Sequence, residues 1–343
     1  MTPVDLSRSV VRALRCAVED GELPAGVVVP ARVVVERTRP GGVGDYASPV
    51  AFGVAKGAGV APRGVAEVLA PRLAGLPGIE RVEITGAGFL NFVLAASSVG
   101  ELVHGIRAGG ELYGLTPGGS GSGDLVEFVD VPLGALRERV VCAAVRRIAS
   151  SQGAGAGVGV EGERAPVAPV AKRDGDVVAV FGAGASVWAM LCVPAAETPV
   201  FPASLLVQDE SSEFFRVRYA HDRARALTRN AGQLGFRAEP GEVDGAGVLL
   251  GALRDQPLVL EAAAHHRAPE RLVRQLVVIA DALLDFQYGV LPKGDEKPSA
   301  AHRARLALAE AAGAVLAGGL ALLGIDVSDT CPTTTTCDAG NRM

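Results

Sequence analysis

Lysine is almost missing from this sequence. Only Lys56, Lys172, Lys293 and Lys297 occur in 343 residues, against 29 arginines. With abundant alanine, glycine and valine, this reads as GC-rich coding, so arginine excess alone is weak evidence for phosphate binding. Net positive charge is lacking too: the formal net charge is −5 and the pI is near 5.7. Such a chain does not coat nucleic acid non-specifically, because that mode needs broad phosphate neutralisation. A structured RNA docked on local basic patches remains compatible.

Paired cysteines are also absent. Cys16, Cys142, Cys192, Cys331 and Cys337 are scattered with no CxxC. That argues against a zinc site or a disulfide framework and fits a reducing cytoplasm. Cys331 and Cys337 are close enough in sequence to pair, but nothing requires it. His265, His266 and His302 have no acidic or cysteine partners at ligand spacing, so no metal is expected. No serine–histidine–aspartate order or activated cysteine stands out, and no catalytic residue is assigned. The start, MTPVDLSRSVVRALRC, intersperses charges and has no apolar core, unlike a signal peptide. The most apolar stretch, LALAEAAGAVLAGGLALLGI at 306–325, is about long enough to span a bilayer. It contains Glu310 and is mostly alanine, glycine and leucine, as a buried bundle helix would be. A cytoplasmic protein away from membranes is the expectation.

What is present is globular: 49% hydrophobic and 21% charged residues, with length enough for two or three domains. Residues 4–20 read as a helix with Asp5 near its start, and VVVPARVVVER (27–37) as a β-branched strand. Two helical segments follow, each ending near glycine. RVEIT and FLNFVL then read as a hairpin around Gly86-Ala87-Gly88, and SSVGELVHGIRAGG as a closing helix. GLTPGGSGSGD reads as a linker. Beyond it LVEFVDV is strand-like, ALRERVVCAAVRRIA helical, and VVAVF, VWAMLCV and SLLVQ strand-like. FGAGAS (181–186) after VVAVF is a weak nucleotide hint. From 212 the pattern turns helical: PLVLEAAAHH with Pro257 at a first turn, RLVRQLVVIADALLDF, and a long run over 299–324. The fold class is an α+β N-terminal module, a reduced α/β middle segment and an all-α C-terminal helical bundle. The divisions are 1–115, 121–210, 211–326 and an irregular tail at 327–343.

Specific residues add a family resemblance. Gly44-Asp45-Tyr46-Ala47-Ser48 with Val50, Ala51 and Lys56, then Pro62-Arg63 with Ala66-Glu67, then Glu83-Ile84 with Gly86 and Gly88-Phe89-Leu90-Asn91-Phe92 resemble the N-terminal additional domain of arginyl-tRNA synthetases. Val217-Arg218-Tyr219-Ala220-His221 with Arg223, PLVLEAAA from Pro257, RLALAEA from Arg305 and GLALLGI from Gly319 resemble the DALR-type anticodon-binding bundle of the same enzymes. The order of the blocks is the family's.

The family's catalytic motifs do not follow. Where the HIGH-type motif belongs the chain reads Val126-Glu127-Phe128, then Pro132-Leu133-Gly134-Ala135-Leu136-Arg137, without either histidine. No KMSKS-type loop is found, Lys172-Arg173-Asp174-Gly175 being the nearest basic turn. About 90 residues, 121–210, stand between the matching ends, below the roughly 100–150 typical of one domain. The resemblance therefore implies a tRNA-binding paralogue without aminoacylation activity. The family's ATP and Mg are not expected as cofactors.

The implied partner is tRNA, tRNA-Arg in the first place. The implied contacts are Arg218, Tyr219, His221, Arg225 and Arg229 on the bundle, with Phe89 and Asn91 as exposed readers toward the D-loop. Asp45-Tyr46 fits either RNA contact or the capping and packing of a helix. Two alternatives stay open: a partner or regulator of a genuine arginyl-tRNA synthetase that does not bind RNA, and an active arginine–tRNA ligase. The stretch 214–237 carries six arginines and one acid in an acidic chain. On a helix Arg218, Arg225 and Arg229 fall on one stripe.

Overall fold

The computed structural model describes residues 3–30, 32–38, 41–95, 99–116, 119, 132–153 and 166–326. Helix α1 (Pro3–Glu19) buries Leu6, Val10, Leu14 and Ala17 at helical spacing. Four strands follow its lead into a small antiparallel sheet: β1 (Glu36–Arg37), β2 (Tyr46–Ser48), β3 (Ile79–Thr85) and β4 (Phe89–Leu94), in the order β1-β2-β4-β3. Helices α2 (Val50–Ala58) and α3 (Pro62–Ala74) lie between β2 and β3. The expected hairpin is β3–β4, with Ile84 opposite Leu90 and Val82 opposite Phe92. Gly88 in its turn has φ 139°, and a Cβ there would stand 2.8 Å from the Pro62 carbonyl carbon. The hairpin thus rests on the first turn of α3, and only glycine allows that approach.

The strand expected over 27–37 shrinks to β1. Val27, Val33 and Val35 are buried as the pattern implied. However, their backbone is satisfied by serines, not by a ladder. Ser7 Oγ donates to the Val33 carbonyl (2.7 Å) and accepts from its N–H, and Ser48 Oγ donates to the Val34 carbonyl (2.7 Å). Side chains from α1 and β2 complete this segment as an irregular layer.

A second core holds the rest. It is built by α4 (Val99–Gly109), α5 (Leu133–Ser151), α6 (Val177–Phe181), α7 (Ala183–Leu191), α8 (Glu213–Gln233), α9 (Gly247–His266), α10 (Pro269–Phe286) and α11 (Ala300–Leu323). Val103 and Ile106 of α4 belong to this core and not to the first. Helix α11 is the apolar stretch noted above; 83% of its most hydropathic window is buried inside the protein. It runs through the bundle against α8, α10 and α4.

The middle segment departs from its α/β expectation: its described residues form helices and 3-10 turns, without strands. VVAVF is α6, capped by Asp176 accepting from the Ala179 N–H (3.1 Å). VWAML lies in α7, whose residues Ala185–Leu191 are all buried. A short run buried on every side reads the same as helix or strand, and here the bundle core decides for helix. SLL is a 3-10 turn at Ala203–Leu206. FGAGAS therefore follows a helix, so the strand-to-helix setting of a phosphate loop is missing. LVEFVDV lies outside the described residues. Pro257, expected at a first turn, sits inside α9, which begins ten residues earlier at Gly247.

The two cores are joined by polar contacts onto α9. Tyr46 is buried and its hydroxyl donates to Asp255 Oδ1 (2.8 Å); Arg37 Nε stands 3.3 Å from Asp255 Oδ2. Burial raises the Asp255 carboxyl above its ordinary range, opposed by these two partners. Arg32 pairs with Glu261, further along α9 toward its C-terminus. The Asp45 carboxylate accepts from the Leu94 N–H (2.9 Å). Asp45-Tyr46 is thus accounted for by packing between strands and domains.

Candidate nucleic-acid interface

Helix α8 begins where Ser212 accepts a capping hydrogen bond from the Phe215 N–H. It buries Phe214, Val217, Ala220, Ala224, Leu227 and Ala231 against α10 and α11. The opposite face carries the arginines, and their roles divide. Arg216 holds Asp281 of α10 (2.7 Å), and Arg223 donates to Gln287 Oε1 (2.5 Å). Arg218 lies over the Phe214 ring, 5.7 Å from its centroid. These positions brace the bundle. Arg225 and Arg229, one turn apart, are exposed and make no hydrogen bond or ion pair to another described residue. Arg237, just past the helix, is in the same situation. Tyr219 is 44% exposed and stacks on Phe215 with centroids 5.6 Å apart.

Two of the sequence-derived contacts are corrected here. His221 is 5% exposed, with Nδ1 3.1 Å from Asp222 Oδ1. Burial is the main cause holding its pKa below the ordinary histidine value, so the ring favours its neutral form. It is an interior residue of α8 because it occupies the same face as Val217 and Ala224. Asn91 is likewise 5% exposed; its Nδ2 donates to Thr85 Oγ1 across the hairpin (2.7 Å). An exposed amide reader it is not. Phe89 is 42% exposed and keeps one face open while the other meets Phe52, centroids 4.8 Å apart.

Sequence reasoning missed the two buried arginines of α5. Arg137, in the stretch that replaces the HIGH-type motif, is fully buried and donates to the carbonyls of Met190, Ala168, Ala195, Glu197, Val193 and Pro194. Arg147 donates to the carbonyls of Leu322 (2.9 Å) and Leu323 (3.0 Å), the last turn of α11. Burial lowers the pKa of both guanidinium groups from the ordinary value. A guanidinium saturated by backbone carbonyls has no donor left for another ligand, so Arg137 is a structural residue of α5. No group of metal-ligating side chains occurs among the described residues.

Comparison with known proteins places these features. Residues 6–94 match the family described as "Arginyl tRNA synthetase N terminal domain", and residues 217–330 match the "DALR anticodon binding domain". The arginine–tRNA ligase of Frankia alni is 45% identical over 159 residues, covering 45% of this chain and 28% of that protein. The arginine–tRNA ligase of Micrococcus luteus is 44% identical over 140 residues, 40% of this chain and 25% of that one. The matched region spans about a quarter of those relatives' length. The fold is that of Thermus thermophilus arginyl-tRNA synthetase, with a TM-score of 0.64 at 15% identity over 96% of this chain and 100% of that chain. The chain thus carries, in this order, a region similar to the arginyl-tRNA synthetase N-terminal domain and a region similar to the DALR anticodon-binding domain.

Proposed function

We propose that this chain is a cytoplasmic tRNA-binding protein that does not charge tRNA with arginine. The observation that carries the binding is the pair Arg225–Arg229 on α8, exposed and unpartnered within the described residues while neighbouring arginines are consumed by the bundle. Unpaired guanidinium groups on one face suit phosphate oxygens. The Phe215–Tyr219 stack beside them offers an aromatic face for an unstacked base, worth about 1–3 kcal/mol. Phe89 offers a second such face on the N-terminal sheet. The likeness to arginine–tRNA ligases points to tRNA-Arg as the RNA.

The test is equilibrium binding of labelled tRNA-Arg against an unrelated tRNA across a salt series. Wild type is expected to favour tRNA-Arg. R225E/R229E is expected to weaken binding at least about tenfold and to reduce the salt slope by about 1.5, the value of two lost phosphate contacts. Equal weak binding of both tRNAs would remove the specific version, and an unchanged slope would remove α8 as the interface.

The absence of aminoacylation is supported by the stretch Pro132-Leu133-Gly134-Ala135-Leu136-Arg137, which carries neither histidine of the HIGH-type motif. Arginine-dependent ATP–pyrophosphate exchange is expected to stay at background with the pure protein. Exchange above background would establish the ligase reading that the relatives' names carry. A second reading, docking on a genuine synthetase without RNA, is favoured by the net charge of −5. Co-purification with that enzyme free of RNA would establish it.

A further inference from the structure

A second basic surface lies away from α8, at the junction of the two cores. A cleft of about 470 Å³ opens there, lined on the α1 side by Arg8, Arg12 and Arg15 and closed by Arg32, Gln152 and Glu261. Its volume is in the range of small-ligand sites. Arg8, Arg12 and Arg15 stand at i, i+4 and i+7, so they share the face of α1 opposite Leu6, Leu14 and Ala17. All three are exposed, and none makes a hydrogen bond or ion pair to another described residue. The one acid in the lining, Glu261, is already neutralised by Arg32. Arg8 and His265 add to the positive field at that carboxylate. With one carboxylate among four arginines the lining keeps an excess of positive charge, and an anion removes the resulting repulsion.

We propose that this cleft is a binding site for a ligand carrying several phosphate groups in a row. The α1 stripe is about 10 Å long, from the helical rise of 1.5 Å per residue. A single phosphate reaches one or two of these guanidinium groups, whereas a chain of phosphates engages all three. Guanidinium forks favour phosphate oxygens over other anions through paired N–H donors. The phosphates belong either to a free polyphosphate or to the backbone of a single-stranded RNA segment laid along α1. Because the cleft uses no residue of α8, its occupation is independent of the tRNA interface proposed above.

Titration of the full chain with inorganic tripolyphosphate and with a labelled single-stranded RNA hexamer, followed by calorimetry and anisotropy, tests this. Orthophosphate is the reference. Tripolyphosphate or the hexamer is expected to bind at least about tenfold tighter than orthophosphate. R12A/R15A is expected to lower that affinity at least about tenfold, the worth of one lost charge-assisted contact. R225E/R229E leaves the tripolyphosphate affinity unchanged. Tight tripolyphosphate binding identifies a free anion as the ligand, and hexamer binding alone identifies RNA backbone. Failure of both ligands, or equal binding by wild type and R12A/R15A, overturns the site. So does loss of tripolyphosphate binding in R225E/R229E with R12A/R15A intact. Both substituted arginines are exposed on α1, so unchanged thermal melting of R12A/R15A certifies its fold.

Discussion

Replacing Arg137 by methionine is expected to destabilise the protein by about 3–5 kcal/mol, a large part of the roughly 5–15 kcal/mol that holds a domain together. The guanidinium has five N–H donors, and six backbone carbonyls converge on it, with Ala168 at 2.7 Å and Pro194 at 2.9 Å. Among the described residues no side-chain carboxylate hydrogen-bonds to this cation, and Glu197 and Glu270 reach it only through their field. Methionine fills a similar volume but leaves those carbonyls buried without donors, each costing about 1–3 kcal/mol unless the loop opens to water. The segment from Ala168 to Glu197, with α6 and α7, would then separate from α5 and expose Trp188, which packs on Phe214 with centroids 5.5 Å apart. Urea unfolding followed by the fluorescence of the single tryptophan reads both effects. R137K keeps the charge yet loses the planar fork, and should recover less than half of the loss. A difference under about 1 kcal/mol for R137M would mean that the carbonyls find water without it.

This residue also marks how far the sequence could be read. The outer helices, the β3–β4 hairpin and the buried character of α11 follow from periodicity and turn glycines, which are local signals. Arg137 was visible only as part of a motif position that no longer matches. Its six partners are backbone carbonyls, and backbone acceptors leave no mark on residue type. The middle helices α6 and α7 were illegible for a related reason. Runs such as VVAVF carry β-branched residues, and burial within a helical bundle overrides that preference.

The candidate interface was half legible. The arginine stripe of α8 was apparent from spacing, but which arginines are free depends on Asp281 and Gln287, about 65 residues away. The burial of His221 could have been found from its heptad relation to Phe214, since both lie on the apolar face. Asn91 gave no such warning. A polar residue on a strand next to exposed Phe89 reads as outward-facing, and only the cross-strand Thr85 hydroxyl makes it interior. The α1 stripe was invisible as a site because its other wall comes from α9, about 250 residues further on.

Gly318→Ala is expected to destabilise the protein by about 2 kcal/mol or more, against the sign that helix propensity alone implies. Alanine in place of glycine inside a helix gains up to about 1 kcal/mol where space allows. At Gly232 in α8 it does allow, since a Cβ there meets nothing within 4 Å, so G232A should stabilise by about 0.5–1 kcal/mol. At Gly318 in α11 a Cβ would stand 2.1 Å from the Glu111 carbonyl oxygen and 2.9 Å from its carbon. Those atoms are backbone of the 3-10 turn Gly110–Leu112, which packs directly on α11, so relief requires moving the chain and not rotating a side chain. Gly319 is an internal control: its Cβ would meet Leu276 Cδ2 at 2.4 Å, a side-chain end with rotamer freedom, and G319A should cost less than G318A. Thermal and urea melts of the three variants give the order G232A above wild type, then G319A, then G318A. If G318A proved as stable as wild type, the close approach of the turn would not be a requirement of the fold. The glycines of GAVLAGG would then follow composition alone.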